Sequence, residues 1–185
     1  MVNEILAETK GAMNKALEAL QKELSTIRTG RANPALLETL RVGYYGSQVP
    51  ISQVANVGIP EPRLITIQPW DKTVFSEIEK AIQTSNLGLT PSNDGTVVRL
   101  PIPQLTEERR KELVKVVRQQ GEDGRVSVRN ARRASNDLMK EAEKEGEVPE
   151  DDSKRGQDQI QKLTDEYVAK IETLLNEKEE EIMEV

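Results

Sequence analysis

The chain has 185 residues, of which 31% are charged and 36% hydrophobic, and its formal net charge is −6. It contains no cysteine and no histidine, which excludes disulfides, thiolate chemistry and Ser-His-Asp or Cys-His catalysis. A single Phe and a single Trp supply little for one spherical core, and the composition is typical of long charged helices. The N-terminus has no basic stretch leading into a long apolar run, and no segment approaches the roughly 20 apolar residues of a membrane span. We therefore expect a cytoplasmic protein without a signal peptide.

The first part of the chain is predicted to form one long helix over residues 2–28. Six apolar residues recur at spacings of three, four or seven, as one face of a helix requires: Leu6, Met13, Leu17, Leu20, Leu24 and Ile27. Arg28 and Gly30 follow at the end, and a basic residue before a glycine is typical of a helix C-terminus.

Residues 31–104 are richer in proline and glycine and contain short runs typical of β-strands. The runs are Leu40–Tyr45, Val54–Val57, Leu64–Ile67 and Val97–Leu100, with a helix from about Thr73 to Thr84 and a short one over Ala35–Glu38. A hairpin turn is predicted at Tyr44-Tyr45-Gly46-Ser47, with one ring packed and one exposed. We expect Trp70 to cover the core of this segment, the alternative being that it stacks on a ligand.

Two further long helices are predicted after residue 104. Thr106 is a good N-cap residue, and the helix that it begins should reach about Glu145. Gly121 and Gly124 each cost a helix about 1 kcal/mol relative to alanine, which marks them as a candidate bend or weak point of this helix. The inner face is predicted as Leu113, Val116, Val117, Gln120, Gly124, Ser127, Val128, Ala131, Ala134, Ser135 and Leu138. The last helix should begin at Pro149 and pack through Ile160, Leu163, Tyr167, Ile171, Leu174, Leu175 and Ile182.

None of these three helices can bury its apolar face alone. The predicted fold is therefore α+β: a long three-helix bundle formed by residues 1–30 and 105–185, with residues 31–104 inserted as a small β/α/β domain. Two chain segments connect the predicted domains, and glycine and proline in them suggest a hinge. The predicted hinge residues are Thr29, Gly30, Arg31, Pro103, Gln104 and Leu105.

The middle helix carries a dense group of positive side chains. Residues 109–133 contain nine Arg or Lys and three acidic residues, a local charge of +6 within a chain of −6. Six of the nine lie at helical spacing and form one stripe, at positions 111, 115, 118, 125, 129 and 132. A solvated helix face is the simpler interpretation, but the excess of Arg over Lys favours bidentate contacts with phosphate. We predict that the backbone of a folded RNA binds to Arg110, Lys111, Arg118, Arg125, Arg129, Arg132 and Arg133.

Motifs for catalysis or nucleotide binding are absent from the sequence. It contains neither GxxxxGK[ST] nor GxGxxG, and no nucleophile, base and oxyanion donors are brought together, so we expect no enzymatic activity, cofactor or metal site. Two other classes remain as alternatives. A coiled-coil scaffold or holdase would dimerise through its apolar faces, which the inserted β segment and the basic stripe oppose. A metal-dependent enzyme acting on nucleic acid would need a metal site that the sequence does not assemble.

Several long segments, in the same order along the chain, closely resemble bacterial ribosome recycling factors. They are Ile27-Arg28-Thr29-Gly30-Arg31-Ala32-Asn33-Pro34, Tyr44-Tyr45-Gly46, Leu105-Thr106-Glu107-Glu108-Arg109-Arg110-Lys111, Arg125-Val126-Ser127-Val128-Arg129-Asn130-Ala131-Arg132-Arg133, and Asp151-Asp152 leading to Gln161-Lys162-Leu163-Thr164-Asp165. The resemblance covers essentially the whole chain.

The resemblance implies an L-shaped molecule, similar in outline to a transfer RNA, that works as a monomer after translation termination. With elongation factor G and its GTP hydrolysis, such a factor splits the post-termination ribosome into subunits and hydrolyses nothing itself. Carried over by residue, Arg110, Arg129, Arg132 and Arg133 would lie on large-subunit ribosomal RNA. Gly30-Arg31 and Pro103-Gln104-Leu105 would form the hinge, and the smaller domain would receive the push from elongation factor G.

Overall fold

The computed structural model describes residues 1–184 and divides the chain into two compact units. One unit comprises Met1–Leu24 and Glu112–Glu180, and the other comprises Ser25–Lys111 and the end of the chain from Glu181. The domain boundaries predicted at 30/31 and 104/105 stay a prediction. Among the described residues the α-helices are α1 (Val2–Ser25), α2 (Phe75–Gln83), α3 (Glu107–Lys144) and α4 (Glu150–Met183). The strands are β1 (Arg41–Tyr44), β2 (Ser47–Pro50), β3 (Ala55–Glu61), β4 (Leu64–Pro69), β5 (Ser92–Asn93) and β6 (Val98–Pro101).

The first unit is built where α1, α3 and α4 pack together. Thr9 on α1 donates a 2.5 Å hydrogen bond to Ser135 on α3, and the Tyr167 hydroxyl on α4 donates to Asn14 on α1. A buried cluster joins Ile5, Met139 and Ile160, one residue from each helix. The predicted α+β fold with three long packed helices is therefore confirmed. Within the described residues, no helix is both long and apolar enough to cross a bilayer.

The α-helical conformation of α3 continues without interruption through both glycines. Gly121 and Gly124 are buried, and a Cβ added at Gly121 would lie 2.3 Å from the Cδ1 atom of Leu175 on α4. Glycine is therefore present because the helices approach closely there, at the known cost in helix propensity.

The buried face of α3 is also partly different from the predicted one. Val116, Ser127, Ala134 and Leu138 are exposed. The buried positions are Leu113, Val117, Gly121, Gly124, Val128, Ser135, Met139 and Ala142. Leu138 precedes Met139 by one residue, and a shift of one residue turns a side chain by about 100° around a helix. Helix α1 ends at Ser25, three residues before the predicted end.

The second unit contains two antiparallel sheets. Strands β1 and β2 form a hairpin with Tyr44 opposite Ser47, and the other sheet has the strand order β3-β4-β6-β5. The core of the second unit is a cluster of buried aliphatic residues. Val42, Ile65, Ile67, Ile78 and Leu100 belong to it and are fully buried. The predicted strands and helix are found here, whereas β2 and β5 were not predicted.

Two of the four aromatic residues of this unit are exposed, whereas Phe75 is in the core. Tyr44 packs on the core while Tyr45 is 84% exposed, as the hairpin prediction required. Trp70 is 62% exposed, so the prediction that it covers the core is wrong. The reason is alternation along the strand: Ile65, Ile67 and Pro69 point inward, and the next residue therefore points outward.

Candidate nucleic-acid interface

In the first unit, α3 presents five of the residues predicted to bind RNA: Arg118, Arg125, Arg129, Arg132 and Arg133. An uninterrupted helix places residues three, four and seven apart on one side, so Arg118, Arg125, Arg129 and Arg132 share a face. Arg133 comes four residues after Arg129 and lies at the edge of that face. Some of these arginines form ion pairs or hydrogen bonds with other side chains of the protein, and others do not. An arginine without such a contact can bind a partner without breaking one.

Two of these arginines are paired with carboxylates on α4. The Arg118 Nε atom lies 3.1 Å from the Glu179 Oε1 atom, and the Arg125 Nη2 atom lies 2.7 Å from the Glu172 Oε2 atom. The Arg125 side chain is only 22% exposed. Burial opposes its charge, but hydrogen bonds to Glu172 and Glu122 outweigh burial and raise the pKa of Arg125. Arg125 is therefore a fixed positive charge held at the surface between two helices.

Two others make weaker contacts. Arg129 lies 3.3 Å from Glu122 on its own helix, with about half of each side chain exposed. Arg132 is half-buried and donates a 3.0 Å hydrogen bond to Gln161, while its Nε atom is buried without a hydrogen-bond partner. Exposed ion pairs of this kind contribute about 0–1 kcal/mol. A phosphate can therefore displace Glu122 from Arg129 at little cost.

Arg133 and Lys115 are exposed, and no hydrogen bond or ion pair joins either of them to another described residue. Both side chains therefore present their full charge to solvent. Arg133 was predicted as a binding residue; Lys115 belongs to the stripe and is equally available. We regard this pair as the most accessible positive charge of α3 in the first unit.

The two remaining predicted residues lie in the second unit. Lys111 is exposed and forms a 3.6 Å ion pair with Glu107 one turn earlier. Arg110 is half-buried, and its Nε atom is buried without a hydrogen-bond partner. Each of the seven predicted residues is thus on α3, and the contacts leave Arg133 unpaired and Arg110 and Arg132 incompletely satisfied among the described residues.

Comparison with known proteins identifies the family. The family model for ribosome recycling factor matches residues 20–183. The chain belongs to the ribosome recycling factor family. It is 57% identical over 185 residues to the ribosome-recycling factor of Syntrophomonas wolfei subsp. wolfei, with both chains fully covered. It is 56% identical over 181 residues to that of Natranaerobius thermophilus, with 98% of each chain covered.

Solved structures agree with this assignment. The solution structure of a ribosome recycling factor matches with a TM-score of 0.79 and 42% identity, over 100% of this chain and 98% of that one. A second structure comprises models for the T. thermophilus ribosome recycling factor and the E. coli elongation factor G bound to the E. coli post-termination complex. It matches with a TM-score of 0.70 and 50% identity, over 98% of each chain.

The acidic side chains of α4 are the functional feature that sequence reasoning missed. The sequence appeared to leave the stripe opposed only by Glu112, Glu122 and Asp123, but Glu172 and Glu179 neutralise part of it. A signal was present: Glu172 and Glu179 are seven residues apart, as are Arg118 and Arg125, and antiparallel helices with a heptad repeat pair such positions. The unopposed positive charge of α3 is therefore smaller than the sequence suggests.

The predicted hinge residues all lie in the second unit. Thr29 is buried and donates a 2.9 Å hydrogen bond to Glu181, and Arg31 pairs with Glu184. Leu105 is buried, whereas Pro103 and Gln104 are exposed. Gly30 has open space around the position of a Cβ atom, so no packing requirement explains glycine there. Among the described residues no group of acidic side chains is arranged to hold a metal ion.

Proposed function

We propose that this chain binds the ribosome after termination and, together with elongation factor G and GTP, splits it into subunits for reuse. The observation that carries the proposal is membership of the ribosome recycling factor family along essentially the whole chain. A relative of 50% identity is known bound to a post-termination complex with elongation factor G, which supports the same two partners here.

We further propose that α3 holds the protein on ribosomal RNA of the large subunit. Seven positive residues on one helix supply contacts to phosphate: Arg110, Lys111, Arg118, Arg125, Arg129, Arg132 and Arg133. Arg133 is available without breaking any contact with a described residue, whereas Arg118 and Arg125 must be shared with Glu179 and Glu172. Affinity should then depend strongly on salt, because each phosphate contact releases a counterion.

The helical unit is suited to transmit force. Its three helices are tied by buried contacts, and the uninterrupted α3 is packed closely against α4 where Gly121 meets Leu175. We propose that a stiff body of this kind is pushed by elongation factor G while it is bound to RNA. The residues Thr29, Gly30, Arg31, Pro103, Gln104 and Leu105 are proposed as the hinge that takes up the movement.

This role requires no catalytic group in the chain itself, since GTP hydrolysis belongs to elongation factor G. We therefore propose a cytoplasmic, monomeric factor without enzymatic activity or cofactor. A scaffold that dimerises would instead show helicity that rises with protein concentration.

The direct test is sedimentation of post-termination ribosomes with this protein, elongation factor G and GTP. We expect free subunits only when all three are present, and intact ribosomes when GTP is replaced by a non-hydrolysable analogue. Intact ribosomes in the complete mixture would overturn the proposed function.

A further inference from the structure

A small cleft in the second unit is lined by positive side chains that do not belong to the stripe on α3. It encloses about 200 Å³ and is lined by Arg31, Arg63, Arg110, Glu181 and Glu184 together with Gly30, Pro62, Gln104 and Leu105. All of these residues belong to one compact unit. Three guanidinium groups face two carboxylates, so the lining carries a net charge of +1.

The arginines of the cleft are not fully satisfied by the protein. Arg63 is exposed, and no hydrogen bond or ion pair joins it to another described residue. The Nε atom of Arg110 is buried without a hydrogen-bond partner. An unpaired buried donor costs free energy, and a bound acceptor would remove that cost.

Further positive charge lies beside the cleft. Arg28 is two residues before Gly30, and its Nη1 atom is also buried without a partner. Burial lowers the pKa of Arg28, and repulsion from Arg109 lowers it further. Arg28 therefore adds positive charge close to Gly30 in the chain, which would help to attract an anion.

Among the described residues, the carboxylates that line the cleft belong to Glu181 and Glu184, and Glu184 is held loosely. Glu184 pairs with Arg31, with more than half of each side chain exposed. Glu181 accepts the hydrogen bond from Thr29. The exposed Arg31–Glu184 ion pair is weak and sensitive to salt. Glu184 thus occupies a position on Arg31 that another oxyanion can take.

We infer that this cleft binds one phosphate group of the RNA backbone, held by Arg31, Arg63 and Arg110 after Glu184 leaves Arg31. Guanidinium groups bind phosphate through paired hydrogen bonds, and once Glu184 has left, the three arginines and Glu181 carry a net charge of +2 that attracts an anion. The volume is too small for a nucleotide, since pockets for small molecules start at about 300 Å³. The inference rests on the proposed RNA partner and adds a contact away from the stripe in the first unit.

The first experiment follows the arginine Nε–H resonances of the whole protein by NMR during titration with inorganic phosphate, at ionic strength held constant with chloride. We expect saturable shifts at Arg110 and Arg31, and none at Arg41, an exposed arginine of the same unit that donates to backbone carbonyl oxygens. The Glu184→Gln variant should bind phosphate several-fold more tightly, whereas Glu61→Gln should not change binding. Equal, unsaturable shifts at every exposed arginine would overturn the inference.

The second experiment measures ribosome binding of Arg63→Ala and of the matched control Arg41→Ala over a salt series. Loss of one phosphate contact should weaken binding about tenfold and lower the slope of log affinity against log salt by about 0.7–0.9 for Arg63→Ala only. If the wild type binds with a steep slope but the two variants are equal, the cleft contact is refuted while the proposed function stands. If the wild type does not bind ribosomes, the proposed function itself fails.

A third outcome concerns the NMR titration. Shifts of the Arg110 and Arg31 signals by an acidic peptide but not by phosphate would also refute the inference, in favour of a protein partner.

Discussion

The close contact between α3 and α4 can be tested by giving Gly121 a methyl group. In Gly121→Ala the new Cβ atom would lie 2.3 Å from Cδ1, 2.7 Å from Cδ2 and 3.0 Å from Cγ of Leu175. Leu175 is 3% exposed, so the surrounding core limits how far its side chain can turn away, and its Cγ atom must also shift slightly. Overpacking costs about 1–3 kcal/mol, whereas replacing glycine by alanine in a helix gains about 1 kcal/mol. The net expectation is a loss of about 1 kcal/mol of unfolding free energy.

Gly11→Ala on α1 is the matched control, because no atom lies within 4 Å of the Cβ position there. This variant should gain about 1 kcal/mol from helix propensity alone. Urea denaturation measures both variants, read as the change in midpoint at constant slope. In a Leu175→Ala background the clash is gone, and Gly121→Ala should then stabilise the protein. Gly121→Ala at or above wild-type stability in the unmodified chain would refute the close packing described here.

Three other predictions concern charge and exposure. Glu179→Gln and Glu172→Gln remove the carboxylates that pair with Arg118 and Arg125. Each variant should therefore tighten ribosome binding several-fold at low salt, whereas the control Glu177→Gln should leave binding unchanged. Weaker binding of the first two variants would contradict the idea that these carboxylates compete with RNA phosphate. Hydrogen bonds from the backbone N–H groups of Val97 and Thr96, and from Arg99, lower the pKa of Asp94 to about 2. The ionised Asp94 carboxylate therefore stabilises the folded protein fully above the ordinary carboxyl pKa, and this stabilisation is lost as pH falls through about 2. In an NMR titration of the turn, Asp94→Asn should remove this dependence on pH. Trp70 is 62% exposed, so in the native state its fluorescence should be that of a solvated indole and should be strongly quenched by acrylamide. Blue-shifted emission that is protected from acrylamide would instead support the prediction that Trp70 covers the core.

The long helices and most strands could be predicted because their signals are local. Apolar residues at helical spacing, the N-cap Thr106 and the turn at Tyr45-Gly46 each depend on residues close together in the chain. Strand β2 escaped prediction because its solvent-exposed residues, Ser47 and Gln48, carry no apolar alternation. The two residues of β5 are too few for any periodic signal.

The errors at the candidate interface have a different cause, namely contacts between distant segments. Propensity alone made Gly121 a weak point, but the position of Leu175 makes glycine necessary there. The positive stripe was counted on α3 alone, whereas Glu172 and Glu179 lie 47 and 61 residues further along the chain than the arginines they pair with. Which arginines are paired depends on how α3 and α4 align, and a single helix does not contain that information.

The central claim is that α3 binds ribosomal RNA through its accessible positive side chains, and the salt dependence of ribosome affinity tests it most directly. The measurement compares the wild type with the double variant Arg129→Ala and Arg133→Ala, after circular dichroism has shown equal helicity. Two lost phosphate contacts should weaken binding at low salt and lower the slope of log affinity against log salt by about 1.4–1.8. An unchanged slope and affinity in the double variant would contradict the account.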